Sequence, residues 1–330
     1  MDQQTLEVTV LSGSLGSGKT TLLLEWLSAA ENADVGLIVN EVGDIDIDGA
    51  LIMSQQGDHS IKLLPSGCVC CSIRDDLVAA VEELIDTKYR LDGTLLRKLI
   101  IETSGLAQPV SVVGSLLTPE MKKHGLSIQI VSTFDCQRGM ALLQHDRQFQ
   151  AQLAAAQRIV LTKRDLVADH EAATMVERLK GVNPLAEYIA TPDRIEAVRQ
   201  TFLPAQRIRA DNFHALIALG AAGASHGDVQ VTSYTLKDAL PWQAFTERLD
   251  DLIATWGDRL LRAKFLLLVQ GQTEPILLQS VGQRFSDPVV VPGLRLDASR
   301  LVFILQGVDL AHFDTEFNET IGVLPEPILS

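Results

Sequence analysis

Short apolar runs alternate with helix-period segments through the first two hundred residues. Leu6–Leu11 and Val35–Val39 are too apolar to be half-exposed strands, so each reads as buried on both faces. Ser60–Leu64, a run from near Lys98 through Leu99–Glu102, Ser127–Phe134 and Arg158–Thr162 extend the series. Between them, Lys19–Ala30 has helical spacing, and Ile73–Ile85 carries Ile73, Leu77, Val81 and Leu84 on one helical face. Strands of this kind joined by helices predict a mostly parallel α/β sheet covered by helices on both faces. Ligands of such sheets sit at the carboxyl ends of the strands.

The pattern changes after Pro204. A small-residue stretch, ALGAAGASHG at 218–227, reads as a linker. Strands follow at Val229–Leu236, Lys264–Gln270, Ile276–Val281 and Arg300–Gln306, with helices at Trp242–Thr255 and Ala311–Ile321. The expected organisation is a phosphate-binding domain over 1–205, a linker over 206–228 and a smaller α+β domain over 229–330. No internal repeat is visible.

The 330 residues are 46% hydrophobic, enough for a large core, and carry a net charge of −14. That balance argues against nucleic acid or an anionic membrane as the main partner. The first residues lack a basic segment followed by an apolar one, so no signal peptide is expected. Three of the four cysteines fall within four residues, which points to metal or redox chemistry in a reducing compartment, and the expected location is cytoplasmic.

The first candidate site follows the first strand. Ser12–Leu23 reads SGSLGSGKTTLL and fits the phosphate-loop pattern GxxxxGK[ST]. Gly13, Gly16, Ser17, Gly18, Lys19, Thr20 and Thr21 are the candidate phosphate contacts. Lys19 can reach the β and γ phosphates, and the Thr20 hydroxyl can take a Mg²⁺ position. Leu99–Gly105 reads LIIETSG: an apolar strand ends in Glu102, positioned for Mg²⁺ or its water, and Gly105 can sense the γ-phosphate. Ile159–Asp165 resembles a guanine-reading [NT]KxD element. Asp165 would accept from the guanine N1 and N2 donors, which adenine lacks, and the Lys163 stem would cover the base. Thr162 stands where Asn is commoner, so one tethering hydrogen bond is expected to be lost. A surface turn is the plainer reading of this element.

Gly67-Cys68-Val69-Cys70-Cys71 precedes a helix start at Ser72–Asp75. Thiolates at a helix N-terminus are favoured and suit Zn²⁺ or Co²⁺, not Mg²⁺. Three sulfurs leave a four-coordinate ion one ligand short. Buried structural cysteines or a redox switch are the alternatives. Asn40–Asp48 reads NEVGDIDID, which is either a solvated acidic loop or a switch. Glu41 could complete the thiolate-bound ion, and Asp44 or Asp48 could help order Mg²⁺. Of the seven histidines only His59 lies near the cysteines.

These elements in this order resemble the CobW-type family of P-loop GTPases, which includes cobalamin-synthesis CobW proteins, zinc-regulated GTPase metallochaperones and activators of metal-dependent nitrile hydratases. The resemblance rests on GSLGSGKTTLL at 13–23, NEVGDIDID at 40–48, GCVCC at 67–71, ETSGLAQP at 102–109 and TKRD at 162–165. Arg259–Lys264 and Leu305-Gln306-Gly307 look like the family's C-terminal domain. The chain departs from the pattern at Asp46 and Phe265, where glycine is usual, and lacks the histidine-rich stretch of many members. The resemblance implies slow GTP hydrolysis coupled to loading or release of Zn²⁺ or Co²⁺ for a client metalloprotein, and leaves room for a homodimer. A non-catalytic metal sensor that uses GTP structurally, and an ATP-dependent small-molecule kinase, are the competing functions.

Overall fold

The computed structural model describes residues 5–29, 34–40, 61–64, 72–93, 95–204, 224–226 and 228–322. They form two compact units: Met1–Leu143, Ala156–Val176 and Ala186–Gln206 in one, Gln144–Ala155, Glu177–Leu185 and Arg207–Ser330 in the other. Compactness therefore does not follow a single cut in the sequence.

The first unit is built on β1 (Leu6–Gly13), β2 (Val35–Asn40), β3 (Ile61–Leu64), β4 (Lys98–Glu102), β5 (Leu126–Asp135), β6 (Arg158–Thr162) and β7 (Glu187–Ile189). Among the described residues these make a seven-stranded sheet in the order β3-β2-β4-β1-β5-β6-β7, and every pairing is parallel. Val8, Val10 and Leu11 of β1 are at most 1% exposed, as a strand covered on both faces requires. Among the described residues of the first two hundred, the α-helices are α1 (Lys19–Ala29), α2 (Ser72–Asp92), α3 (Pro109–Leu116), α4 (Pro119–Lys122), α5 (Gly139–His145), α6 (Arg147–Ala155), α7 (Asp169–Val182) and α8 (Arg194–Thr201). Leu22, Leu23 and Leu27 of α1 and Val198 of α8 pack with Leu37, Ile100, Val131 and Val160 from four strands, and Phe202 closes this core. Trp26 lies against Phe202 with ring centroids 4.8 Å apart.

Topology selects the site. β1 sits between β4 and β5, so the chain changes side of β1 as it passes from one to the other. Such a reversal leaves a crevice at the carboxyl ends of the flanking strands. Gly13, Glu102 and Asp135 end the three strands concerned.

The second unit holds β8 (Ala224–His226), β9 (Val229–Leu236), β10 (Leu260–Leu267), β11 (Ile276–Val281), β12 (Arg284–Phe285), β13 (Val289–Val290), β14 (Ser299–Gln306), α9 (Trp242–Trp256) and α10 (Leu310–Thr320). Its sheet is antiparallel, in the order β12-β11-β10-β14-β9-β8, with β13 on β11. Phe245, Leu249, Leu252 and Trp256 recur every three or four residues along α9 and are all buried. With Phe265, Phe303, Phe313 and Phe317 they form the core of one sheet face. α6 packs on β9, β10 and β14.

Two elements differ from expectation. The segment read as linker ends in β8, whose His226 pairs with Val229 of β9, leaving the two-residue spacing of a tight hairpin. The strand expected at Lys264–Gln270 starts at Leu260, directly after the 3₁₀ turn Gly257–Arg259 that ends α9. Beyond it, Leu268 and Gln270 exchange backbone hydrogen bonds with Leu240 instead of extending the sheet. No helix among the described residues is long and apolar enough to cross a membrane.

Candidate functional site

The phosphate loop leaves β1 at a position only glycine can fill. Gly13 has φ 137°, and a Cβ there would lie 2.2 Å from Thr133 Oγ1 on β5. Ser17 Oγ donates to Ser14 O at 2.7 Å and meets Thr133 Oγ1 at 2.6 Å, which fixes the loop to the sheet. Lys19 begins α1 and is 7% exposed. Its ammonium donates to Gly13 O at 3.0 Å and Ser14 O at 3.1 Å, so the cation is held against the loop. Ser14 Oγ is buried and makes no hydrogen bond with the described residues. A concave loop with a buried cation, an unsatisfied hydroxyl and a helix N-terminus behind it has the donor set of a polyphosphate site.

Glu102 and Thr20 meet, as their positions after β4 and in the phosphate loop imply. The Thr20 hydroxyl donates to Glu102 Oε1 at 2.7 Å, and Glu102 is 4% exposed. A hydroxyl beside a carboxylate, both hard oxygen donors, fits Mg²⁺. The backbone of Thr103 donates to Leu11 O at 2.9 Å, keeping the segment after β4 against β1. Gly105 then crosses the phosphate loop so closely that a Cβ would lie 2.5 Å from the Leu15 nitrogen.

The third part is a cleft of about 450 Å³ beside α1, lined by Gly18, Thr21, Thr162, Lys163, Asp165 and Arg194 among others. Asp165 lies on the 3₁₀ turn Arg164–Leu166 and is exposed. Arg194 of α8 donates from Nε to both carboxylate oxygens of Glu25 of α1, at 2.7 and 2.8 Å, which joins the two helices at the cleft wall. The hydrogen bond raises the Arg194 pKa further, so this wall stays charged.

The tether expected to be missing at Thr162 is present. Its hydroxyl donates to Ser17 O at 2.7 Å, with Phe134 O at 3.3 Å. A threonine hydroxyl reaches the carbonyl because the phosphate loop passes so close at Gly18 that a Cβ there would lie 3.6 Å from the Thr162 Cβ. The base loop and the phosphate loop are thus one hydrogen-bonded assembly. Thr162→Ala is expected to weaken GDP binding about tenfold, the worth of one buried hydrogen bond, while Thr162→Asn stays within about threefold of the parent. Equilibrium competition against a labelled nucleotide measures both; an unaffected alanine variant would remove the tether's role.

Cys68, Cys70, Cys71, Glu41, the rest of the acidic stretch to Asp48, and His59 lie outside the described residues. α2 starts at Ser72, within the Ser72–Asp75 stretch read as a helix start. Cys136 is buried, and burial pushes its thiol up to about 11, so it is a poor source of thiolate. Among the described residues no three His, Cys, Asp or Glu side chains are grouped for a metal ion.

Sequence reasoning missed Asp135, Thr133 and Arg194. Asp135 carried a usable signal: like Glu102, it ends an apolar strand of the same sheet. The others depend on pairings of distant segments that no local pattern records.

A phosphate loop, a Thr–Glu pair at its helix start and an attached base cleft define a P-loop nucleotide-binding protein. The chain belongs to the CobW family of P-loop GTPases: the CobW/HypB/UreG nucleotide-binding domain matches residues 7–190, and the cobalamin synthesis protein cobW C-terminal domain matches residues 229–321. It is 28% identical over 291 residues to the zinc chaperone YjiA of Escherichia coli, spanning 85% of this chain and 87% of that one. To the zinc chaperone CobW of Pseudomonas aeruginosa it is 26% identical over 346 residues, spanning 93% and 89%. The crystal structure of Zn(II)-bound YjiA GTPase from E. coli shares the fold, with a TM-score of 0.67 at 20% identity over 96% of this chain and 99% of that one.

Proposed function

We propose that the protein is a slow GTPase that binds Zn²⁺ or Co²⁺ through Cys68, Cys70 and Cys71 and delivers it to a client metalloprotein in a nucleotide-dependent way. The observation that carries the nucleotide half is the single assembly of phosphate loop, Thr20–Glu102 pair and base loop joined by the Thr162–Ser17 hydrogen bond. The metal half is supported by the CxCC sequence and by relatives named zinc chaperones.

Lys19 stabilises negative charge on the β and γ phosphates. Gly105 approaches the γ-phosphate through its backbone, and Asp165 reads the base. Mg²⁺, held by Thr20 with Glu102 orienting it or its water, would supply charge neutralisation to the phosphates. Among the described residues no side chain stands out as a general base, in keeping with slow turnover without a partner. In the GTP state, γ-phosphate contacts draw the acidic stretch 41–48 into place and Glu41 completes the thiolate shell; hydrolysis removes those contacts and loosens the ion. Residues 1–205 act as the GTPase domain, and 229–330 as the family's C-terminal domain.

Phosphate release from GTP by the whole chain tests the enzymatic claim. A steady release above that of Lys19→Ala supports it. Release no greater than the variant's would leave a metal-binding protein that uses GTP as a structural ligand. ATP turned over as well as GTP would instead point to a kinase-like site.

A further inference from the structure

Lys163 is the one residue other than glycine with a positive φ among the described residues, at 52°. The left-handed region is disfavoured for a residue with a Cβ, so the surroundings must hold it there. Asp135 is the group placed to do so. It ends β5 and is 2% exposed. Its Oδ1 accepts from Gln137 N at 2.8 Å and Arg138 N at 3.4 Å, which pins the carboxylate to its own backbone. Its Oδ2 accepts from Lys163 Nζ at 2.5 Å.

The next residue is clamped separately. Arg164 donates to Ala190 O at 3.2 Å and Val167 O at 2.8 Å, and its guanidinium pairs with Asp169. Both residues before Asp165 are thus anchored, and Asp165 follows them exposed.

We propose that Asp135 is a positioning residue for the base: it holds Lys163 in the left-handed conformation and commits its ammonium, so that the Asp165 carboxylate is left to accept from guanine. This rests on the base-reading role of Asp165. The charge logic is direct. Lys163 and Asp165 are two residues apart on one short turn, and an ammonium released from Asp135 would compete with the base for the Asp165 oxygens. With Asp135 in place, Lys163 contributes its stem to the cleft and its charge to a buried pair.

Asp135→Asn keeps the Oδ1 acceptor and removes the charge. It is expected to raise the KM for GTP about 10- to 30-fold, with kcat within about twofold, and to lower the GDP-over-ADP preference by the same factor. Lys163→Met, which keeps the stem, should lose about tenfold in GDP affinity; adding Asp135→Asn to it should change little, within about twofold. Should Asp135→Asn fail to fold, Lys163→Met, altered at a partly exposed position, reads the same pair. The inference is overturned if the two costs multiply, if Lys163→Met binds GDP like the parent, or if Asp135→Asn lowers kcat at unchanged KM. A parent protein with no GDP-over-ADP preference would instead refute the base reading itself; a parent that prefers GDP and an Asp135→Asn variant that keeps its KM would refute this inference alone.

Discussion

Asp165→Asn is expected to turn a guanine-preferring site into one that prefers xanthine nucleotides. A carboxylate accepts from both the N1 and N2 donors of guanine. An amide retains one acceptor and gains a donor, which matches the carbonyl that xanthine carries in place of the 2-amino group. Sites built on such hydrogen bonds discriminate by about four orders of magnitude, because the wrong base leaves a polar group unpaired. GDP affinity should therefore fall at least about 100-fold, and XDP should overtake GDP. The side chain is exposed on the Arg164–Leu166 turn, so the variant is expected to fold normally. Competition of GDP, XDP and ADP for the same site measures the exchange. GDP binding that survives the substitution would show that the TKRD element does not read the base.

Lys19→Ala carries the second large effect. Its ammonium is buried against Gly13 O and Ser14 O, where the phosphates' charge would also fall. A fixed cation in such a site is worth far more than in water, and loss of one comparable transition-state donor costs about 10²–10³ in rate. GTP turnover should drop by at least that much. The cost to the folded state is smaller, about 1 kcal/mol, since the two carbonyls lose one shared donor. Single-turnover phosphate release and thermal melting separate the two effects. A variant that melts far below the parent would make Lys19 a structural residue first.

The strands and the phosphate loop were legible because their signals are local. Val8–Leu11 followed by SGSLGSGKTT is a strand, a loop and a helix start in one window, and Glu102 and Asp165 stand at fixed offsets from apolar runs. β7 and α8 were not legible. β7 has three residues and α8 eight, and α8 is mostly polar, so neither builds a periodic pattern. Their place is set by Ile189, Ala197 and Val198 entering the core under α1. The Thr162 tether could not be seen either: its acceptor lies 145 positions away, and only the fold brings the two together. The same holds for Asp135, whose partner Lys163 is 28 positions on. Thr for Asn reads as a lost contact from side-chain length alone; the close approach of the two loops restores it.

Nucleotide-gated metal binding is tested most directly by zinc affinity, measured by competition with a chromophoric chelator, in the presence of Mg²⁺ with either GDP or a non-hydrolysable GTP analogue. The proposed gating predicts at least about tenfold tighter binding with the analogue, a difference of roughly 1.4 kcal/mol, and its disappearance in Cys70→Ser. Equal zinc affinity in the two nucleotide states would contradict it.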